Sequence, residues 1–179
     1  MTDLKLTVEY DSDATDFHDE YDGVEVYSFS NRHVNYKHPD SIENLEKDVE
    51  EGFAFLLSYF SHGGCVWSLR GEGPSCPWDS VDVAGVLILD KEEWKDEPVE
   101  KRENFARSLI QEYTKWCNGE IFGFSLSTLD KEIVDSCWGF FDKESLIESV
   151  KDVLTEKDKI VEFSGDAMEH EIQSAFSGA

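Results

Sequence analysis

The segment covering residues 60–80 constrains the fold most, because glycine and proline interrupt it at six positions. It also contains one histidine, two cysteines and two tryptophans. A regular helix or strand cannot run through so many glycines and prolines, so the chain must turn repeatedly here. The apolar run that follows, at residues 81–89, is typical of a buried strand. The sequence therefore predicts a short strand at 65–69, a loop at 71–77 and a buried strand at 81–89.

Alternation of apolar and polar residues predicts further strands along the chain. The predicted strands cover residues 4–10, 24–28, 120–128 and 160–164. The turn dipeptide Asp22-Gly23 favours a hairpin between the first two of them. An N-terminal hairpin with an acidic connection is therefore predicted.

Helical spacing of apolar residues predicts three main helices. The first covers residues 41–60, begins after the cap candidates Pro39 and Asp40 and is stopped by Gly63-Gly64. The second covers 91–116, with Pro98 near an N-terminus and Gly119 as the C-terminal cap. The third follows Asp142, which has the residue type of an N-cap.

These elements predict an α+β fold, with a mostly antiparallel sheet packed against about three helices. A chain of 179 residues is long enough for one good hydrophobic core. We therefore expect a single domain over residues 1–164. The remaining residues, 165–179, are expected to form a short helical or frayed tail.

The chain carries 40 acidic and 16 basic residues, a formal net charge of −24. Its hydrophobic content of 40% exceeds that of a disordered polyanion, so the chain is expected to fold. Binding to nucleic acid or to an anionic membrane requires clustered Lys and Arg, so neither partner is expected. No apolar run approaches the roughly 20 residues that span a bilayer. We expect a cytoplasmic protein with a basic partner.

Two regions concentrate the negative charge. Residues 9–25 contain eight carboxylates and no Lys or Arg. The predicted helix at 41–60 adds an acidic face in which Glu43, Glu46, Asp48, Glu50 and Glu51 accompany only Lys47. The candidate interaction residues from these regions are Asp11, Asp13, Asp16, Asp19, Glu20, Asp22, Glu43, Glu46 and Glu50.

The four cysteines, at positions 65, 76, 117 and 137, have no CxxC spacing. Their spacing predicts reduced thiols rather than a disulfide framework or a zinc site, and no cofactor is expected. A calcium loop beginning at Asp11 also fails, because its sixth and twelfth positions would be Asp16 and Asp22 instead of Gly and Glu.

An enzyme is the alternative interpretation. Cys137 lies in a Ser-Cys-Trp triplet similar to that around a papain-type nucleophile, with His62 as a possible base. The order of cysteine and histidine is reversed relative to that family, so we interpret Cys137 as a buried cysteine beside a core tryptophan. The alternative is a cysteine- or metal-dependent hydrolase or nuclease using His62, Cys76, Asp79 and Cys137.

Three histidines raise the question of a metal site. His33, His38 and His62 could join Asp40 or Asp79 as ligands. The spacing of His33 and His38 places them on opposite faces of a strand, so surface histidines are the simpler interpretation. For residues 76–80, Pro77 and a buried Trp78 predict a packed corner.

Several motifs together resemble a family of small proteins carried by phages and other mobile elements. They are His62-Gly-Gly, Cys76-Pro-Trp-Asp-Ser80 and Asp135-Ser-Cys-Trp-Gly-Phe140. The resemblance covers residues 58–141 and departs from the family pattern at Gly63, at Val81-Asp82 and at Ala84, where the family has Ser, Gly-Gln and Gly. It implies a phage or plasmid origin and no particular reaction.

Charge and resemblance together predict an acidic inhibitor of a host nucleic-acid-binding defence system, acting in the host cytosol. Such an anti-CRISPR or anti-restriction protein would mimic nucleic acid or bind the basic groove of a host nuclease. Solvated charge that only maintains solubility is the competing explanation. The sequence leaves the oligomeric state open.

Overall fold

Two separate four-stranded sheets form the framework of the protein in a computed structural model, which describes residues 2–14, 17 and 21–177. The strands of the described residues are β1 (Thr2–Tyr10), β2 (Val24–Ser28), β3 (Ala54–Ser61), β4 (Cys65–Leu69), β5 (Ser80–Leu89), β6 (Phe122–Thr128), β7 (Ile133–Phe140) and β8 (Asp158–Ser164). The α-helices of the same residues are α1 (Leu45–Glu50), α2 (Lys91–Trp94), α3 (Val99–Cys117), α4 (Lys143–Val153) and α5 (His170–Phe176). A 3₁₀ turn lies at Pro39–Ser41. The α+β prediction is confirmed.

The chain divides into two compact units. The first, here called the terminal unit, combines the residues through Ala14 with those from Gly119 onward. The second, the inserted unit, is the chain between them. The sequence did not predict this division, and the expectation of one domain over 1–164 stays a prediction. No described helix is both long enough and apolar enough to cross a membrane.

The terminal unit contains a sheet of strand order β7-β6-β1-β8, in which only the β1–β8 pair is parallel. Leu4, Leu6 and Val8 of β1 are buried because alternate strand residues point to one face. Helices α4 and α5 complete this core with Leu146, Val150, Ile172 and Phe176. The tail is therefore helical at 170–176, and its helix packs into the core.

In the chain, the inserted unit lies between β1 and β6, which are the two strands of an antiparallel pair. β1 and β6 pair antiparallel up to Tyr10 opposite Phe122, and the Asp11 amide donates to the Ile121 carbonyl at 2.8 Å. The hairpin predicted between the strands at 4–10 and 24–28 is wrong, because β2 pairs with β5 in the other sheet. Long-range pairing overrides the local turn signal of Asp22-Gly23.

The inserted unit has an antiparallel sheet of order β2-β5-β3-β4. Helix α3 packs on it through Ala106, Leu109, Ile110 and Tyr113. Pro98 is the N-cap of α3, and Asp142 caps α4 by accepting a hydrogen bond from the Ser145 amide at 2.7 Å, as predicted. The strands predicted at 65–69, 81–89, 120–128 and 160–164 are present with small shifts of their ends.

The helix predicted at 41–60 is wrong. Only Leu45–Glu50 is helical, Gly52 has a positive φ of 69°, and Ala54–Ser61 is a strand between β5 and β4. Nearly every residue from 53 to 60 is apolar, as is common in a central strand. Apolar residues at helical spacing can be found in any such run, so the periodicity was misleading. Glu43, Glu46 and Glu50 are exposed but do not share the face of one long helix.

Among the described residues, the edge strand β4 has no strand on its outer side, and side chains of α3 and of its C-cap residue Asn118 bond to its backbone there. Thr114 Oγ1 accepts from the Trp67 amide at 2.9 Å and donates to the Trp67 carbonyl at 3.1 Å. One helical turn later, Asn118 does the same for Cys65, at 2.9 and 2.8 Å. Edge strands with unpaired backbone groups are prone to wrong pairing. These two side chains satisfy the outer edge of β4.

The motif tryptophans lie on the surface. Trp78 is 91% exposed and Trp138 is 46% exposed, and Cys137 beside it is exposed as well. The packed corner around Trp78 and the buried cysteine beside a core tryptophan at 137–138 are therefore both wrong as predictions. Cys137 and Trp138 are exposed because β7 is an edge strand whose residues are almost all exposed. Trp78 lies in the turn that precedes β5.

Candidate functional site

A groove of about 640 Å³ in the inserted unit collects carboxylates from three parts of the chain. We call it the acidic groove. Its acidic lining residues are Asp22, Glu25, Asp48, Asp90 and Glu92, and Lys91 is the one cation among its described lining residues. The pairing of Val24 with Leu89 and the hydrogen bond from the Asp90 amide to the Gly23 carbonyl, at 2.8 Å, bring the segments at 22–25 and 90–92 together. Asp48 joins them through its ion pair with Lys91.

Some of these carboxylates already have partners. Lys91 Nζ bonds to Asp48 and lies 3.4 Å from Glu51, and the hydrogen bond with Asp48 raises the pKa of Lys91. Glu92 pairs with Lys95, and Asp90 caps α2 through the amides of Glu92 and Glu93. Among the described residues, the ion pairs at this groove leave Asp22 and Glu25 without a cation. Both are exposed.

The acidic groove unites parts of both predicted acidic regions. Asp22 was a candidate residue, and Glu25 and Asp48 belong to the same two regions. Asp11 and Asp13 instead belong to the terminal unit, where the Asp13 amide donates to Asp11 Oδ1 at 3.2 Å. Glu43, Glu46 and Glu50 do not line the groove. Three candidate residues lie outside the described residues: Asp16, Asp19 and Glu20.

Three of the four alternative catalytic residues lie together. Asp79 Oδ2 is 3.4 Å from His62 Nδ1 and 3.6 Å from Cys76 Sγ. The carboxylate is therefore between the imidazole and the thiol, whereas a nucleophilic cysteine needs its base within direct reach. Cys137 belongs to the terminal unit. The hydrolase alternative stays a prediction.

The histidines considered as metal ligands are engaged separately. His33 Nδ1 lies 2.8 Å from Ser28 Oγ, and His38 Nδ1 accepts from the Asp40 amide at 3.2 Å at the start of the 3₁₀ turn. The segment at 33–38 forms no strand and makes only one isolated bridge, between Tyr36 and Ser28, so the predicted strand geometry does not apply. Within the described part of the chain, no group of three or more His, Cys, Asp or Glu is arranged to hold a metal ion.

A second groove in the inserted unit, of about 980 Å³, is lined largely by aromatic rings. We call it the aromatic groove. Tyr59 and Trp67 have ring centroids 4.7 Å apart, and His33 packs edge-on against both at 5.2 and 5.6 Å. Tyr113 continues the wall, 6.0 Å from Trp67. Sequence reasoning did not find this groove, because its rings come from β3, β4, α3 and the loop after β2.

Two thiols and a phenol meet in the aromatic groove. Hydrogen bonding to Cys65, followed by burial, raises the pKa of Cys117 well above its usual range. Burial, with Cys117 nearby, raises the pKa of Tyr113 in the same way. Cys117 is exposed as a residue. The main cause of the raised pKa of its thiol is therefore the hydrogen bond to Cys65. The phenol of Tyr113 and the thiol of Cys117 therefore keep their protons near pH 7.

The raised pKa of Cys117 predicts slow alkylation. Thiolates react with iodoacetamide and thiols do not, so Cys117 should react roughly tenfold more slowly at pH 8 than the exposed Cys137. Peptide mass spectrometry over a time course measures both rates in one sample. Equal rates would contradict the neutral thiol in the groove.

Comparisons of this chain with protein-family models, with curated proteins and with solved structures find no significant match. The resemblance to proteins of phages and mobile elements therefore stays a prediction. The arguments for function come from the two grooves and the charge of the chain.

Proposed function

We propose that this protein inhibits a basic, nucleic-acid-binding host protein, such as a restriction nuclease or a CRISPR effector. The observation that carries the proposal is the convergence of Asp22 and Glu25 with Asp48, Asp90 and Glu92 in the acidic groove. A groove of this kind accepts a Lys or Arg side chain from a surface that normally holds phosphates. The phage or plasmid origin is part of the same proposal.

The distribution of cations supports this function. Many Lys and Arg residues are already held by carboxylates, as in the pairs Lys5–Glu162, Arg70–Asp82 and Arg107–Glu72. Because acidic residues outnumber basic residues by 24, the Lys and Arg residues of the chain cannot neutralise all of its carboxylates. A surface of this sign attracts a basic partner over about a Debye length and repels DNA and RNA.

The test is inhibition of DNA cleavage by purified restriction nucleases and CRISPR effectors, with direct binding measured for any nuclease that is inhibited. We expect affinity to fall at least about tenfold between about 50 and about 200 mM salt, because the contacts are ionic. The variant Asp22→Lys/Glu25→Lys should lose inhibition, because it places cations in the acidic groove.

A matched control separates the groove from general charge. Glu144→Lys/Glu148→Lys makes the same change in net charge on exposed positions of α4 in the terminal unit. It should keep most of the inhibition. Equal loss in both double variants would show that the carboxylates only provide solvated charge, and a flat salt response would exclude the ionic mode of binding.

A further inference from the structure

The aromatic groove is free of carboxylates, although the chain as a whole is rich in them. None of its 16 described lining residues is Asp or Glu, whereas 40 of the 179 residues of the chain are acidic. Chance placement at that frequency would give about three or four acidic residues among sixteen. Seven of the sixteen carry aromatic rings. The groove is thus chemically distinct from the surface around it.

Two polar side chains in this groove, Asn35 and His33, are held in place by hydrogen bonds. Asn35 Nδ2 donates both of its hydrogens, to the Val26 carbonyl and to Tyr113 Oη, each at 2.8 Å. Its Oδ1 is then left as an acceptor. His33 uses Nδ1 with Ser28, which leaves Nε2 for a ligand. Aromatic walls with a few oriented polar groups, in a volume near the upper end of ordinary ligand sites, are typical of small-molecule binding.

Charge excludes most ligand classes. A polyanion is repelled by the field of a chain with net charge −24, so neither DNA nor RNA fits. A cation would find no carboxylate among the described lining residues, and Arg32 is the one fully charged side chain there. A neutral ligand is not repelled by the negative charge of the chain and needs no carboxylate as a partner. Its flat face would stack on the exposed ring of Tyr36, and its polar edge would bond to groups such as Asn35 Oδ1 and His33 Nε2.

We propose that the aromatic groove binds a neutral, planar heterocycle of the nucleoside class. Tyr36 contributes the most accessible ring, since it is 43% exposed at the mouth of the groove. Tyr59 and Trp67 form the wall behind it. The binding site is independent of the acidic groove, so it requires no assumption about the inhibitor function.

The test is isothermal titration of the full chain with adenosine, guanosine, cytidine and uridine as probes. At least one should bind with a dissociation constant below about 1 mM, and Tyr36→Ala should weaken it about tenfold or more, because base stacking on one ring contributes that much. Tyr10→Ala is the matched control, since Tyr10 is 42% exposed and lies in the terminal unit. It should leave the affinity unchanged.

The charge argument is tested with adenosine monophosphate. The phosphate should weaken binding relative to adenosine, because of the negative field of the protein. Three results would overturn the proposal: no binding of any of the four nucleosides at about 1 mM, equal loss in Tyr36→Ala and Tyr10→Ala, or tighter binding of the phosphorylated probe that is lost in Arg32→Gln. Circular dichroism of each variant verifies that it is folded.

Discussion

Gly165→Ala is expected to lower the free energy of unfolding of the terminal unit by about 3 kcal/mol or more. Gly165 has φ of 110°, and a Cβ there would lie 1.8 Å from the Val8 carbonyl oxygen. That oxygen also accepts from the Ala167 amide at 3.2 Å, so it cannot move without losing a bond. The turn between β8 and α5 therefore has to separate from β1.

Urea unfolding measures this effect, with Trp138 as the tryptophan of the terminal unit. Gly119→Ala is the control, because Gly119 also belongs to the terminal unit and has a positive φ, of 69°, but a Cβ there meets nothing within 4 Å. It should cost about 1 kcal/mol, which is the backbone strain alone. Similar losses in the two variants would contradict the predicted clash with Val8.

Thr114→Val is expected to lower the free energy of unfolding of the inserted unit by about 2–4 kcal/mol. The substitution preserves the shape of the side chain but removes both hydrogen bonds to the backbone of Trp67. Trp67 is only 3% exposed, so water has little access to the amide and carbonyl left behind. Two partly buried backbone groups would then have no partner.

Two further variants locate the cause of that loss. Thr114→Ser keeps the hydroxyl and should stay within about 1 kcal/mol of the parent, since only a methyl group is removed. Asn118→Ala should cost less than Thr114→Val, because its bonds to Cys65 lie in an exposed position where water can replace them. A Thr114→Val protein as stable as the parent, in thermal and urea unfolding, would refute the role of this edge contact.

Local signals in the sequence were sufficient to predict many of the helices and strands. Asp142 and Pro98 mark helix starts because a capping side chain and a fixed φ act within one turn. The segment at 53–60 was not predictable in the same way, because a continuous apolar run fits a buried helix and a buried strand equally well. Its assignment depends on pairing with β5, which is distant in sequence.

The candidate site was also predictable only where it depends on local composition, and not where it depends on long-range pairing. Composition alone predicted an acidic surface, and the candidate residue Asp22 lines the acidic groove. The acidic groove also needs Asp90 and Glu92, which reach it only through the register of β2 on β5. The aromatic groove also depends on contacts between residues that are distant in sequence, since Tyr59, Trp67 and Tyr113 lie on three different elements. Neither convergence leaves a pattern at fixed spacing in the sequence.

The position of the inserted unit at the end of the β1–β6 pair has a consequence for how such a protein can change. Tyr10 and Phe122 face each other across that pair, so the chain leaves and returns at one place. Both grooves belong to the inserted unit. Recombination at this junction would exchange both grooves in one step, while the terminal unit keeps its own core and its strand register.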